Sequence, residues 1–144
     1  QLAKAALYAG IKLLMDRAGV TRVDRIRLAG AFGSHIDVKY AMALGLIPDC
    51  DLREVSAAGN AAGTGARMAL LNRAYRNRIS LIVRDIEKVE TALADDFQQH
   101  FVEAMAIPHK IEPFTQLSEV LPLPAPKIAA KSGRSRRRRS SSVK

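Results

Sequence analysis

Two glycine-rich junctions constrain this chain more than any other feature. They read Leu28-Ala29-Gly30-Ala31-Phe32-Gly33-Ser34 and Ala58-Gly59-Asn60-Ala61-Ala62-Gly63-Thr64-Gly65-Ala66. Each follows a short strand-like run and opens a helix-like one. Glycine at a strand end lets the backbone approach a ligand closely, and free N–H groups at the next helix start can bind an anion or a nucleotide edge. The same glycines also permit tight helix–sheet contact with no ligand at all. Neither junction is a P-loop, because no Gly-Lys-Ser/Thr follows. The second has GxxxGxG spacing, which is not the GxGxxG dinucleotide fingerprint.

The elements around the junctions alternate. Leu7, Ile11, Leu14 and Ala18 recur at helical spacing beside a polar stripe of Lys4, Tyr8, Lys12 and Asp16, and Gly19 supplies a stop. Val23 to Ala29 reads as a half-covered strand, with Ile26 and Leu28 alternating with Arg25 and Arg27. Asp37 is placed to cap a short helix over 38–44 that ends at Gly45. A second strand is predicted at 54–58, then a helix from Ala61 to about Arg76 that continues or restarts through Asp85. Lys88 to Leu93 suggests a third strand, and Asp95 or Asp96 caps a last helix that runs to Met105 and stops at Pro108. The pattern is α/β, with helices packed on a small sheet.

Five of the six prolines fall in 108–126, so 109–126 reads as an extended Pro-rich linker, and 127–144 as a disordered basic Arg/Ser tail. The net charge of +9 is a property of that tail. It carries eight basic side chains and no acid, leaving 15 basic against 14 acidic residues in 1–126. A near-neutral body argues against a broad nucleic-acid-binding face. Only the run Arg136, Arg137, Arg138, Arg139 offers affinity for RNA, anionic lipid or an acidic partner, and no aromatic is interleaved for base stacking. The single cysteine, Cys50, excludes an internal disulfide and any iron–sulfur cluster held by this chain alone. A reducing, cytoplasmic setting is expected, and no apolar run approaches the ~18 residues that span a membrane. The chain opens on Gln1 and is expected to be a piece of something longer.

The stretches IRLAGAFGSHID and ALGLIPDCDLREVSAAGNAAGTGARMALLN together resemble the C-terminal region of reductive activators of corrinoid proteins, and DIEKVETALADDFQQHFVEAMAIP is similar to the end of that region. These activators are ATP-dependent iron–sulfur proteins of the actin-like superfamily that also holds the acetate and sugar kinases. The resemblance covers about 1–108 and implies part of the second lobe of an actin-like, ribonuclease H-like ATPase domain. It implies that Gly30, Ala31 and Gly33, with Ser34 beside them, form the adenosine turn. It also implies that Gly59, Asn60, Gly63 and Gly65 support the nucleotide pocket or the lobe packing. The phosphate-binding hairpins, the acids associated with Mg and the domain carrying a [2Fe–2S] cluster belong to segments upstream of this sequence. The implied function is ATP binding within an activator that reduces cobalt(II) to cobalt(I) in a corrinoid methyltransferase system, with the corrinoid protein as partner. These 144 residues alone are expected to have no reduction activity. A kinase-like ATPase lobe without a redox role, or a binding module driven by the basic tail, are the alternatives.

Other polar residues have plainer readings. Asp37 serves as a helix cap, and His35 belongs to a surface loop beside the first turn. His100 and His109 lack a third ligand at metal spacing. Cys50 sits among acids that raise a thiol pKa. Asn60 either binds a ligand or fixes its turn.

Overall fold

The computed structural model describes residues 1–123. A long helix α1 (Leu2–Arg17) is followed by strand β1 (Ile26–Ala29), two short helices α2 (Gly30–His35) and α3 (Val38–Ala43), and strand β2 (Val55–Gly59). Helices α4 (Ala61–Leu71), α5 (Arg73–Arg84), α6 (Phe97–Glu103) and α7 (Thr115–Val120) complete the described residues, with 3-10 turns at Leu52–Glu54 and Thr91–Leu93. The strands pair in parallel, Ile26 opposite Val55 and Leu28 opposite Ala57, with a register irregularity that brings Ala29 opposite Gly59. Parallel pairing needs a crossover, and α2 with α3 supplies it. The α/β reading with helices on a small sheet therefore holds for the described residues. The basic tail, Arg136 to Arg139 included, lies outside them.

The helix ends follow local rules. Gly19 at φ 66° and Gly45 at φ 71° take left-handed conformations beyond α1 and α3. Each closes the helix with paired backbone bonds, Val20 N–H to Met15 and Leu46 N–H to Ala41 among them. Asp37 caps α3 as expected, its Oδ1 accepting from the Tyr40 N–H at 3.2 Å. Ala5, Tyr8, Met42, Ile47, Cys50, Val55, Ala104, Phe114 and Leu117 belong to the core.

Four expectations are corrected. The stripe of α1 that reads as polar faces inward from Lys4 to Lys12, and only Asp16 at its end is exposed. Lys4 and Tyr8 are buried, whereas Leu7 and Leu14 are 48% and 56% exposed. The polar tips all find distant partners. Lys4 donates to the carbonyls of Ala106 and Pro108. Tyr8 donates its hydroxyl to Glu112, Lys12 pairs with Glu112 at 2.7 Å, and Asp16 accepts from His100 at 2.8 Å. Buried polar groups are tolerated when so satisfied, so the aliphatic stems pack while the tips bond.

The helix from Ala61 does not reach Arg76. It stops at Asn72, whose side chain accepts from the Ala74 N–H at 2.8 Å and starts α5 afresh. Residues 88–93 are not a strand: Lys88 to Glu90 pair with no other strand among the described residues, and Thr91–Leu93 closes into a 3-10 turn. Finally, the Pro-rich stretch is not an extended linker over 109–121. Its prolines punctuate a folded segment in which His109, Phe114 and Leu117 are buried and α7 forms. Asp49 fixes that helix, its carboxylate accepting from the Gln116 and Leu117 N–H groups at 2.9 and 3.0 Å.

Candidate functional site

Because β1 and β2 run parallel and in near register, both glycine junctions emerge at the same end of the sheet. Ala29 lies opposite Gly59, so the first turn begins beside the second. In open α/β sheets, ligands bind beyond the carboxyl ends of the strands, which is where this pair sits.

The first junction is abrupt. Ala29 is extended at φ −94°, and Gly30, at φ 93°, starts α2 with no intervening loop. Nothing lies within 4 Å of the position a Gly30 Cβ would occupy. Glycine is therefore required by conformation, and the space beside it is open. Gly33 differs. Its φ is not left-handed, but an added Cβ would stand 2.9 Å from three atoms of Leu28, two of them backbone. The close approach at Gly33 is thus helix against strand. Ser34 returns its hydroxyl to the Gly30 carbonyl at 3.0 Å, and His35 places Nδ1 2.8 Å from the Ala31 carbonyl. Both bonds brace α2 from within. Phe32 projects outward, 76% exposed.

The second junction repeats the plan. Gly59 is left-handed at φ 63°, again with open space where a Cβ would be. Asn60 caps α4, its Oδ1 accepting from the Gly63 N–H at 2.8 Å. The turn-fixing role is thereby visible, while its amide nitrogen makes no hydrogen bond among the described residues. A Cβ on Gly63 would lie 2.6 Å from Asn60 Nδ2 and would push the capping side chain aside. At Gly65 no such contact exists.

Each turn borders a concavity. One of about 190 Å³ lies beside the first, with Leu28, Phe32, Gly33 and Ile36 in its wall. Another, of about 410 Å³, is formed by Asn60, Gly63, Thr64 and Arg67. Thr64 and Arg67 were not singled out by motif, although the 60, 63, 64, 67 spacing puts them on one helix face. Gly30 and Gly59 are therefore open backbone surfaces brought side by side. Gly33, Ser34, Asn60 and Gly63 hold the two helices in place around them.

The remaining candidates stand apart. His100 bonds Asp16, and His109 is buried against Tyr8 with ring centroids 4.9 Å apart. Cys50 is buried, and burial first, then Asp51, Glu54 and other carboxylates, pushes its thiol pKa up. A thiol held protonated in this way is a poor nucleophile. With no second cysteine in the sequence, the residues present do not suit an iron–sulfur cluster. Among the described residues no helix is long and apolar enough to cross a membrane. Helices α4 and α5 contribute no buried residue, and Leu70, Leu71 and Ile82 are all more than half exposed.

Comparison with known proteins accords with this architecture. Residues 1–118 match the family described as the C-terminal domain of RACo, the ASKHA domain. The corrinoid activation enzyme RamQ of Eubacterium limosum is 38% identical over 104 residues, covering 71% of this chain. A solved structure titled reductive activator for corrinoid, iron-sulfur protein superposes with a TM-score of 0.68 at 35% identity, over 75% of this chain. The chain spans 18% of the length of each of these relatives. On its sequence and on its fold alike, the chain belongs to the family of corrinoid reductive activators, within their C-terminal ASKHA domain.

Proposed function

We propose that this chain supplies one wall of an ATP site in a reductive activator of a corrinoid protein. The observation that carries the reading is the pairing of the two glycine junctions at one end of a parallel sheet, in a chain of this family. Gly30 and Ala31 would face the adenosine moiety, with Gly33 and Ser34 fixing the angle of α2. Gly59, Asn60 and Gly63 would set the second turn, where the unengaged Asn60 amide nitrogen can donate to a ribose or base acceptor. The residues fit such a ligand because both strand ends present backbone without a side chain, beside open space. Mg²⁺, which would travel with the phosphates, has no obvious carboxylate partner at either turn and would be held by other segments.

The role proposed for the whole activator is one-electron reduction of cobalt(II) to cobalt(I) in the partner's corrinoid, made possible by ATP. The electron would come from a [2Fe–2S] cluster outside this sequence. What the present residues contribute is a rigid nucleotide-binding edge. A nucleotide bound between this edge and a second lobe favours the closed arrangement by the difference in its affinity for the two states.

Calorimetric titration of the full-length protein with ATP and ADP tests the reading. Gly30→Asn and Gly59→Asn, using the side chain that best tolerates a left-handed φ, each fill the open space and should weaken binding at least tenfold while the fold, followed by circular dichroism, persists. Unchanged affinity in both folded variants would remove the proposed wall.

A further inference from the structure

We propose that residues 106–113 act as a pH-sensitive catch fastening the C-terminal segment to α1, with His109 as the titrating group. His109 is 8% exposed, and its Nδ1 accepts from two backbone donors, the Ile111 N–H at 3.3 Å and the Glu112 N–H at 3.0 Å. A nitrogen that accepts twice carries no proton, so the neutral ring holds its hydrogen on Nε2. Protonating Nδ1 turns both bonds into donor–donor contacts. The turn they shape is the one that delivers Glu112 to α1.

That delivery is the fastening itself. Glu112 accepts from the Tyr8 hydroxyl and pairs with Lys12 at 2.7 Å, while Lys4 reaches the Ala106 and Pro108 carbonyls. The fit is close: a Cβ on Gly45 would lie 2.1 Å from the Pro108 oxygen. Beyond the catch, α7 is anchored separately by Asp49, so opening is confined to the turn.

The surroundings fix the sign. Burial disfavours the charged ring most, and Lys4 and Lys12 of α1 oppose it too; Glu112 in the same turn and Glu103 of α6 favour it without prevailing. Tyr8, whose ring lies against the imidazole at a 33° tilt, stays protonated. The folded pKa therefore lies below the ordinary histidine value. Closure is fully favoured above about pH 6.5 and is lost as pH falls toward the folded value. By pH 5.5 the opening equilibrium rises up to about tenfold relative to pH 7.5.

Hydrogen exchange on the full-length protein, expressed as protection factors at pH 7.5 and 5.5, reads this directly. Peptides covering 106–114 should lose protection at the lower pH, by up to about tenfold, while those covering β1 and β2 stay unchanged. In His109→Asn the Oδ1 can accept the same two amides without titrating, so protection should hold at both values. Equal protection in the wild type at both pH values, or parallel loss in wild type and variant, overturns the proposal. If the variant does not fold, nitrogen-15 resonances of the wild-type ring decide. The proposal requires an unprotonated Nδ1 and a midpoint below about 6.5, and a midpoint at or above that value overturns it.

Discussion

Replacing Gly33 by alanine tests how the first turn is built. The added methyl would stand 2.9 Å from the backbone carbon, the carbonyl oxygen and the Cβ of Leu28. Favourable carbon–carbon contacts lie at about 3.5–4.0 Å, so α2 must withdraw from β1 by roughly 0.6 Å or more. Two of those three atoms are strand backbone and cannot swing aside, which places the overpacking cost near the upper end of its usual range, about 3 kcal/mol. Alanine regains about 1 kcal/mol as a better helix former. No left-handed strain is added, because Gly33 is not left-handed. The net loss is about 2 kcal/mol, a fall of about 1 M in urea midpoint at a slope of about 2 kcal/mol/M. Gly30→Ala loses a similar amount, about 1–2 kcal/mol, for the opposite reason: strain at φ 93° with no clash. Urea unfolding followed by circular dichroism measures both. A Gly33→Ala midpoint at or above the wild-type value would refute the claim that α2 is pressed against β1.

Three further outcomes follow from the same geometry. Gly45→Ala combines a left-handed φ with a Cβ 2.1 Å from the Pro108 oxygen, whereas Gly19→Ala has only the left-handed φ; thermal unfolding should show the first losing at least twice the stability of the second, which costs about 1–2 kcal/mol. Glu112 is held below the usual carboxylate pKa, burial working against the shift and the bonds from Lys12 and Tyr8 prevailing. Its contribution is therefore full above about pH 4.5 and lost as pH falls through the folded value, and acid unfolding should flatten over that window in Glu112→Gln. Cys50, buried and with its thiol pKa raised, should react with an aromatic disulfide reagent at pH 7 at least tenfold more slowly than in urea-unfolded protein.

What could be read from the residues alone was local. Asp37 three residues before the Tyr40 amide, glycine after α1 and α3, and the second strand–glycine–helix junction each depend on neighbours within a few positions, and each took the expected form. At the first junction the helix starts at Gly30 itself, so residues 30–33 are not a turn with two left-handed glycines and His35 ends α2 rather than lying in a loop. The inverted face of α1 did not depend on neighbours. Lys4, Tyr8 and Lys12 face inward, and Asp16 is engaged at the rim, because Ala106, Pro108, Glu112 and His100 wait for them, 84 to 104 residues away. Periodicity weighs apolar surface and therefore chose Leu7 and Leu14. Proline counting failed over 109–121 for the same reason: Asp49, a distant cap, and the core beneath Phe114 and Leu117 hold the segment in place. At the candidate site, the motif reading found all of the glycines but gave them one role. The structure separates Gly30 and Gly59, open and left-handed, from Gly33 and Gly63, which pack against Leu28 and Asn60.

That two adjacent strand ends form the nucleotide-facing wall is tested most directly by amide exchange on the full-length protein with and without ATP. Protection should rise at 29–34 and 58–64 together, since the register places Ala29 opposite Gly59, and should leave α5 unaffected. Saturating ATP that binds without protecting either junction would contradict the assignment.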